Sequence, residues 1–205
     1  MLWIGLTGAM GSGKSTVAKV LREKGFPVLD ADQVVHDLLK PGSVLAGDLI
    51  STFGQSVRDP QGNLNRHALG KLVFTNKTKL DQLEALLHPK VREEVARLKA
   101  NLLKNGTPAA FYDVPLLFEK NMETQFDFIL VVSADDVVRR ERIQRRMNLS
   151  LEDILAREQK HVSPEIKARK ASAVIVNDSS MEKLEREIDS ALNKIGVASP
   201  AVRNS

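Results

Sequence analysis

The stretch LTGAMGSGKSTVAKVL, residues 6–21, decides the fold of this chain. Its residues 8–15 match G-x-x-x-x-G-K-[S/T], the pattern of a loop that wraps nucleotide phosphates. The apolar run 3–7 before it predicts a buried strand, and residues 15–24 after it carry their apolar side chains on one helical face. A strand, a glycine loop and a helix in this order are the context that such a loop requires.

Each residue type in this loop has a physical role. The glycines allow positive φ, so that several backbone N–H groups can point at one phosphate, and the helix N-terminus adds partial positive charge. Lys14 would reach the β- and γ-phosphates, and the Ser15 hydroxyl would coordinate Mg²⁺. We expect ATP to contact the whole loop and the residue after it, namely Gly8, Ala9, Met10, Gly11, Ser12, Gly13, Lys14, Ser15 and Thr16.

The composition excludes several protein classes. The 205 residues include no cysteine, and the four histidines do not have zinc-ligand spacing, so we expect no disulfide and no permanently bound cofactor. The absence of a signal-peptide pattern and of an apolar run of about 20 residues predicts a cytoplasmic protein without a membrane segment. The net charge of +4 invites a nucleic-acid interpretation, but 30 basic residues face 26 acidic ones. An aromatic content of 4% also leaves few stacking platforms, so we do not expect nucleic acid as a partner.

The alternation of strands and helices predicts one α/β domain over residues 1–196. A five-stranded parallel sheet would lie between two helical layers, and its strands are predicted at 3–7, 27–30, 109–114, 126–132 and 173–176. The helical region between the second and third strands is too long for a plain crossover. We therefore interpret residues from about 60 to 106 as an insertion that binds the acceptor. The small and polar residues 197–205 predict a flexible tail.

Local signals add detail to the helices. A core-facing stripe is predicted within the long helical region, at Val91, Val95, Leu98 and Leu102. Residues 150–153 and 179–182 resemble capping boxes, with Ser150 and Ser179 as the capping residues.

Several classes of nucleotide-binding protein share this loop, and other segments separate them. Residues 59–62 match the D-x-x-G of a GTPase by letter but lie in a proline turn, and Lys79 stands where guanine recognition needs an aspartate. Asp113 ends a predicted strand, but Val114 follows it instead of the second acidic residue of an ATPase motor. These mismatches favour a small-molecule kinase.

A kinase of this kind needs a carboxylate near the γ-phosphate and arginines that neutralise transition-state charge. Asp30 and Asp32 follow the second strand, and Asp30 with Gln33 forms a helix-capping pattern, which leaves Asp32 as the candidate functional carboxylate. Residues 139–146 contain five arginines. Most of them are interpreted as a solvated helix face, with one or two that touch phosphate from a helical lid over about 137–165.

The order of motifs along the chain closely resembles that of the dephospho-coenzyme A kinase family over about residues 1–196. The resemblance lies in the glycine loop, Asp30-Ala-Asp32, Arg66 with Leu69, His88-Pro89, the DVPLLFE of residues 113–119, and Asn177. It implies a P-loop kinase fold and transfer of a phosphoryl group from ATP, with Mg²⁺, to the ribose 3′-hydroxyl of dephospho-coenzyme A, the last step of coenzyme A synthesis.

The resemblance also implies residue roles. Asp32 would accept the hydroxyl proton, and Lys14 and Arg142 would complete the catalytic set. Arg142 would meet ATP from the lid, and Asn177 would lie beside the adenine. The acceptor site would include Thr7, Asp32, Arg66, His88, Pro115, Leu116, Leu117 and Glu119.

Departures and alternatives accompany this interpretation. Ala9 and Ser172 stand where the family often has glycine and aspartate, and an offset in the arginine run leaves Arg139 and Arg146 as alternatives to Arg142. His88 before Pro89 could instead mark a boundary between two helices, and Asn177 could cap the last helix. As a whole, the chain could phosphorylate another small hydroxyl acceptor, such as a nucleoside monophosphate, or could be a nucleotide-dependent switch or nucleic-acid binder.

Overall fold

The structure, a computed structural model, describes residues 1–198. These residues divide into two compact units, one formed by Met1–Asp30 with the chain from Gly106 onward and the other by Ala31–Asn105. The second unit thus begins at Ala31, well before the position of about 60 that was predicted for the helical insertion. Among residues 1–198, no helix combines the length and the apolar character needed to cross a membrane.

The first unit contains a five-stranded parallel sheet, as predicted. In chain order its strands are β1 (Leu2–Gly8), β2 (Val28–Asp30), β3 (Ala109–Asp113), β4 (Phe128–Ser133) and β5 (Ala173–Val176). Their order across the sheet is β2-β3-β1-β4-β5, so the strand that leads into the glycine loop is central. Asp113 is in register with Leu6 of β1 on one side and with Asp30 of β2 on the other. The carboxyl ends of these strands therefore meet at one edge.

Nine helices lie within the described residues. They are α1 (Lys14–Glu23), α2 (Ala31–Leu38), α3 (Val44–Phe53), α4 (Arg66–Phe74), α5 (Lys77–Lys104), α6 (Asp136–Met147), α7 (Leu151–Glu158), α8 (Pro164–Lys170) and α9 (Met181–Lys194).

The two faces of β1 have different partners because side chains alternate along a strand. Ile4 and Leu6 are fully buried in an apolar core that also contains side chains of α1 and α9. On the other face, a Cβ on Gly5 would lie 2.7 Å from Leu117 and 3.1 Å from Phe126. The glycine lets the loop after β3 pack directly against the sheet.

The structure confirms one of the two predicted serine caps and corrects the other. Ser150 caps α7 as predicted, since its hydroxyl accepts the Asp153 N–H at 3.1 Å. The cap of α9 is Ser180, whose hydroxyl accepts the Lys183 N–H at 3.4 Å. The assignment of Ser179 was therefore wrong by one residue, because Ser180 is the extended residue directly before the helix.

The second unit packs α2 to α5 around a separate apolar core. Leu49 and Val57 are fully buried at its centre, and Leu83, Leu86 and Leu87 of α5 pack against it. Helix α5 runs without a break through Pro89, so the alternative of a helix boundary at His88 is wrong. The predicted stripe on α5 from Val91 to Leu102 is only half-buried, and none of the residues of α5, all of which are described, is fully buried.

The chain beyond α9 starts as part of the core. Val197 is buried, and its N–H donates to the carbonyl of Leu192 at 2.9 Å. The predicted flexible tail over 197–205 is therefore wrong at its first residue, which contributes apolar contact to α9. Residues 199–205 of that prediction lie outside the described residues.

Candidate active site

The glycine loop joins β1 to α1 at the carboxyl edge of the sheet. Gly11 and Gly13 have φ of +78° and +86°, values that residues with a Cβ rarely adopt. Helix α1 begins at Lys14, so the unpaired N–H groups of its first turn face the loop. The loop thus has the conformation and the positive electrostatic end that phosphate binding needs.

The loop glycines also permit close packing. A Cβ on Gly8 would lie 2.6 Å from the carbonyl oxygen of Val132, and one on Gly13 would collide with the amide nitrogen of Asn177. Either contact is far shorter than van der Waals distance. Packing against β4 therefore favours glycine at Gly8, and both the positive φ and the close approach of Asn177 favour it at Gly13.

Lys14 forms an ion pair with Asp113, the last residue of β3. The Asp113 side chain is 4% exposed, whereas that of Lys14 is 18% exposed. Asp113 was predicted to end a strand but was not predicted as a site residue, because no second acidic residue follows it. The signal that could have identified Asp113 was its position at the end of a strand predicted to lie in the same parallel sheet as the strand that leads into the glycine loop.

Two further carboxylates follow β2. Asp30, which is half-buried, is in register with Asp113, so two neighbouring strands of the first unit end in aspartate. Asp32 lies in the first turn of α2 and is exposed. The role of Asp32 as the proton acceptor stays a prediction.

A pocket of about 260 Å³ lies beside the start of α1, and two residues predicted to contact ATP, Arg142 and Asn177, border it. Arg142 donates to the carbonyl of Asn177 at 2.9 Å, and the Asn177 amide donates to the carbonyl of Ser12 at 2.8 Å. Asn177 therefore ties β5 to the glycine loop and does not cap α9. Three of the lining residues, Ser179, Met181 and Leu184, were not predicted from the sequence as site residues. The pocket is lined by Gly13, Thr16, Arg142, Asn177, Ser179, Met181 and Leu184.

The arginines of α6 have different environments. Arg139 is buried, and Arg145 is exposed and pairs with Glu141. Arg140 donates to Glu158 of α7, and this hydrogen bond raises the pKa of Arg140. The hydrogen bond from Arg139 likewise lowers the pKa of Asp136, against the opposing effect of burial. Arg142 is the arginine of this run that borders the pocket, and its contact with ATP stays a prediction.

Two predicted acceptor-site residues are buried. The Thr7 side chain is fully buried, and its hydroxyl donates to the carbonyl of Pro115 at 3.3 Å. Leu117 is fully buried against Gly5. Both side chains support the loop after β3 from inside the core, and their contact with the acceptor stays a prediction. Leu116 in the same loop is 37% exposed.

Glu119 links this loop to α8. Its carboxylate accepts hydrogen bonds from Lys167 at 2.8 Å and from the Val162 N–H at 3.1 Å. Burial raises the pKa of Glu119, but the hydrogen bonds from Lys167 and from backbone amides outweigh it and hold the pKa below its ordinary value of 4.5. Glu119 is therefore a structural anchor, and its contact with the acceptor stays a prediction.

Arg66 and His88, like Asp32, are predicted acceptor residues of the second unit, and all three are exposed. Arg66 is the first residue of α4, and His88 lies in the middle of α5. Their exposure leaves both side chains available to a ligand.

The residues at the loop fit a cation held mainly by nucleotide phosphates. The exposed Ser15 lies next to Lys14 at the start of α1, where its hydroxyl can supply one oxygen ligand. Within residues 1–198, no group of three or more histidine, aspartate and glutamate side chains could hold a metal ion by itself. A Mg²⁺ that keeps its phosphate and water ligands is the metal this arrangement suits.

Comparison with known proteins identifies the family. Residues 2–183 match the family model described as dephospho-CoA kinase. A dephospho-CoA kinase from Symbiobacterium thermophilum is 40% identical over 188 residues, covering 92% of this chain and 79% of the relative. One from Corynebacterium efficiens is 36% identical over 195 residues, covering 95% and 98%.

Solved structures agree with the sequence comparison. A Thermus thermophilus crystal structure superposes with a TM-score of 0.81 at 38% identity and covers 94% of this chain and 97% of its own. A dephospho-CoA kinase from Campylobacter jejuni has a TM-score of 0.71 at 27% identity, with coverage of 94% and 96%. The phosphate loop, the strand order and the matched length lead to one conclusion: the chain belongs to the dephospho-CoA kinase family.

Proposed function

We propose that this enzyme transfers the γ-phosphoryl group of ATP to the ribose 3′-hydroxyl of dephospho-CoA, giving CoA and ADP. The observation that carries the proposal is the phosphate loop with Lys14 paired to Asp113, in a chain whose family acts on this acceptor. Phosphoryl transfer needs the Lys14 ammonium group in a defined position when the γ-phosphate binds. The ion pair with Asp113 holds it in such a position.

The first unit would bind ATP. Backbone N–H groups of the glycine loop and the N-terminus of α1 would hold the phosphates, and the pocket at Arg142 and Asn177 would take the adenine. Arg142 has a planar guanidinium that can stack on a base while it donates to the Asn177 carbonyl.

The second unit, Ala31–Asn105, would bind the acceptor through exposed side chains such as Arg66 and His88. Asp32 would accept the proton as the 3′-oxygen attacks the γ-phosphorus, and the β–γ bridging oxygen would leave with ADP. Mg²⁺, held by Ser15 and the phosphates, would neutralise phosphate charge when bound. Lys14 would stabilise the charge that develops on the transferred group.

The test is ADP release with and without dephospho-CoA, by the wild type and the variant Asp32→Asn. We expect acceptor-dependent release by the wild type, and a fall in kcat of about 10²-fold or more in the variant with nearly unchanged nucleotide affinity. Unchanged turnover would remove Asp32 from the role of base. Asp48→Asn on the outer surface of α3 is a matched control, since Asp48 is exposed and not placed in the site.

The same assay separates the alternatives. Phosphorylation of a nucleoside monophosphate in preference to dephospho-CoA would favour a kinase of another small acceptor. Slow hydrolysis that ignores every acceptor, with salt-dependent binding of RNA, would favour a switch or a nucleic-acid binder. We expect neither, and we expect the enzyme to act in the cytoplasm, where ATP and its acceptor are available.

A further inference from the structure

Arg139 of α6 is a buried cation next to the phosphate loop. It is the largest fully buried side chain of the described residues, with 2% side-chain exposure, whereas the side chain of Arg145 on the same helix is 79% exposed. A buried guanidinium is destabilising unless its charge and its N–H groups are all matched. Arg139 must therefore have specific partners.

These partners lie on two sides. On one side, Arg139 donates to the carboxylates of Asp136 at 2.7 Å and Glu158 at 2.9 Å. On the other side, its Nη1 donates to the backbone carbonyl of Met10 at 2.9 Å. The carboxylates neutralise the charge, and the rigid guanidinium then holds one peptide group of the phosphate loop.

Fixing the Met10 carbonyl also fixes the amide that follows it. The peptide bond between Met10 and Gly11 is trans, so the Gly11 N–H points away from the Met10 carbonyl. Since the carbonyl points at Arg139, the Gly11 N–H points to the opposite side. A loop of this kind binds phosphate because its N–H groups converge away from the protein.

A second contact places the same part of the loop against α6. A Cβ on Gly11 would lie 2.5 Å from the carbonyl oxygen of Arg139 and 3.0 Å from Ile143. The backbone of Arg139 thus limits how far Gly11 can move, while its side chain sets the orientation of the peptide.

We propose that Arg139 is a positioning residue for phosphate binding, which aims the Gly11 N–H at a phosphate of the nucleotide without touching the nucleotide itself. The proposal rests on the proposed function only in that a nucleotide binds in this loop. Because Arg139 is buried behind the loop, it acts through the Met10–Gly11 peptide.

The connection between α6 and α7 does not by itself need Arg139. Arg140 also donates to Glu158, at 3.0 Å, and pairs with Asp136 at 3.3 Å. The contribution that belongs to Arg139 alone is the hydrogen bond to Met10. This difference allows a structural role and a positioning role to be separated.

The experiment measures binding of ADP and of adenosine by calorimetry, together with the unfolding temperature. The first variant, Arg139→Met, removes the guanidinium. The second, Arg139→Lys, keeps a positive charge for Asp136 and Glu158 but loses the guanidinium N–H group that donates to the Met10 carbonyl. Arg140→Met removes the parallel bond to Glu158, and Arg145→Met is the matched exposed control on the same helix.

We expect both Arg139 variants to bind ADP about tenfold more weakly, the loss of roughly one hydrogen bond to a charged group. Adenosine, which has no phosphate, should bind within about twofold of wild type. Arg140→Met should lower the unfolding temperature while leaving ADP affinity unchanged, and Arg145→Met should change neither.

Equal losses for ADP and adenosine would overturn the proposal, because they would indicate general damage to the site. Unchanged ADP affinity in a folded Arg139→Lys protein would overturn it as well. If Arg139→Met does not fold, Arg139→Lys decides the outcome, since it retains the buried charge balance. Failure of the wild type to bind ADP would instead overturn the proposed function, and the inference with it.

Discussion

The ammonium group of Lys14 and the carboxylate of Asp113 form an ion pair at the carboxyl edge of the sheet. The two residues are 99 positions apart in the chain. The parallel register of β1 and β3 brings Asp113 beside Leu6, directly before the phosphate loop. The principal cation of the loop is thus positioned by the protein before any substrate binds, so less reorganisation is needed when the phosphate charge develops.

The variant Asp113→Asn tests this positioning. We expect kcat to fall by about 10²-fold, because Lys14 loses the charge that holds it, while the KM for ATP changes by less than about threefold. Steady-state kinetics with dephospho-CoA measure both values. Asp127→Asn is the control, since Asp127 accepts the Trp3 N–H at 2.7 Å where β1 begins, at the other end of that strand. It should lower the unfolding temperature without the loss of kcat, and equal losses of kcat would contradict the role of Asp113.

Gly13 and Gly62 offer a matched pair of glycines. Both have φ of +86°, but a Cβ on Gly62 would meet nothing within 4 Å, whereas one on Gly13 would collide with Asn177. We expect Gly62→Ala to lower stability by about 1–2 kcal/mol through backbone strain alone. Gly13→Ala carries the same strain and also displaces the loop, so its kcat/KM should fall by about 100-fold. Thermal unfolding and kinetics of both variants give the comparison; full activity of Gly13→Ala would disprove the close fit.

Arg142 contributes to a different part of the nucleotide site from Arg139. The variant Arg142→Met should bind ADP and adenosine more weakly than wild type by the same factor, about tenfold, because the guanidinium borders the pocket that we assign to the base. Calorimetric titration of the two ligands measures the factor. Arg145→Met serves again as the exposed control, and a loss confined to ADP would place Arg142 at the phosphates instead.

The Glu119–Lys167 pair predicts a pH dependence of stability. The pKa of Glu119 is lower in the folded protein than its ordinary value of 4.5. The pair therefore contributes its full stabilisation of the folded state above pH 4.5, and this contribution is lost as the pH falls through the folded-state pKa. Lys167→Met leaves the carboxylate buried without its cation, which should cost about 2 kcal/mol or more at pH 7. The difference from wild type should shrink below pH 4.5.

Urea unfolding between pH 3 and pH 7 measures that difference. Lys170→Met is the control, since the Lys170 side chain is 51% exposed where it pairs with Glu123. Its replacement should lower the free energy of unfolding much less than Lys167→Met does. A difference that is independent of pH would show that Lys167 stabilises through packing alone.

Much of the fold could be predicted because its signals are local. The five strands are short apolar runs, the loop motif lies between a strand and a helix, and Ser150 caps the helix that directly follows it. Such features depend on neighbouring residues, which can be read in order along the chain. The error at Ser179 has the same origin, because two adjacent serines offer equivalent caps and the direction of the incoming chain selects Ser180.

Burial and tertiary packing could not be predicted from the order of the residues. Thr7 and Leu117 belong to the right segments but face the interior, because the loop after β3 packs onto Gly5. Helix α5 continues through Pro89 because its leucines pack against the core of the second unit, and such packing can outweigh the hydrogen bond that proline lacks. Both outcomes depend on contacts between residues that are distant in the sequence, so a local pattern does not predict them.

The sequence by itself determined the phosphate loop, the α/β class and the motifs of the family, since these depend on residue type and short spacing. Only the tertiary structure decided that Asp113 holds Lys14 and that Arg139, among five similar arginines, is buried against Met10. The physical reason is that charged residues acquire their roles from partners brought close by strand register and helix packing. Those partners lie about 100 positions away or more in the chain.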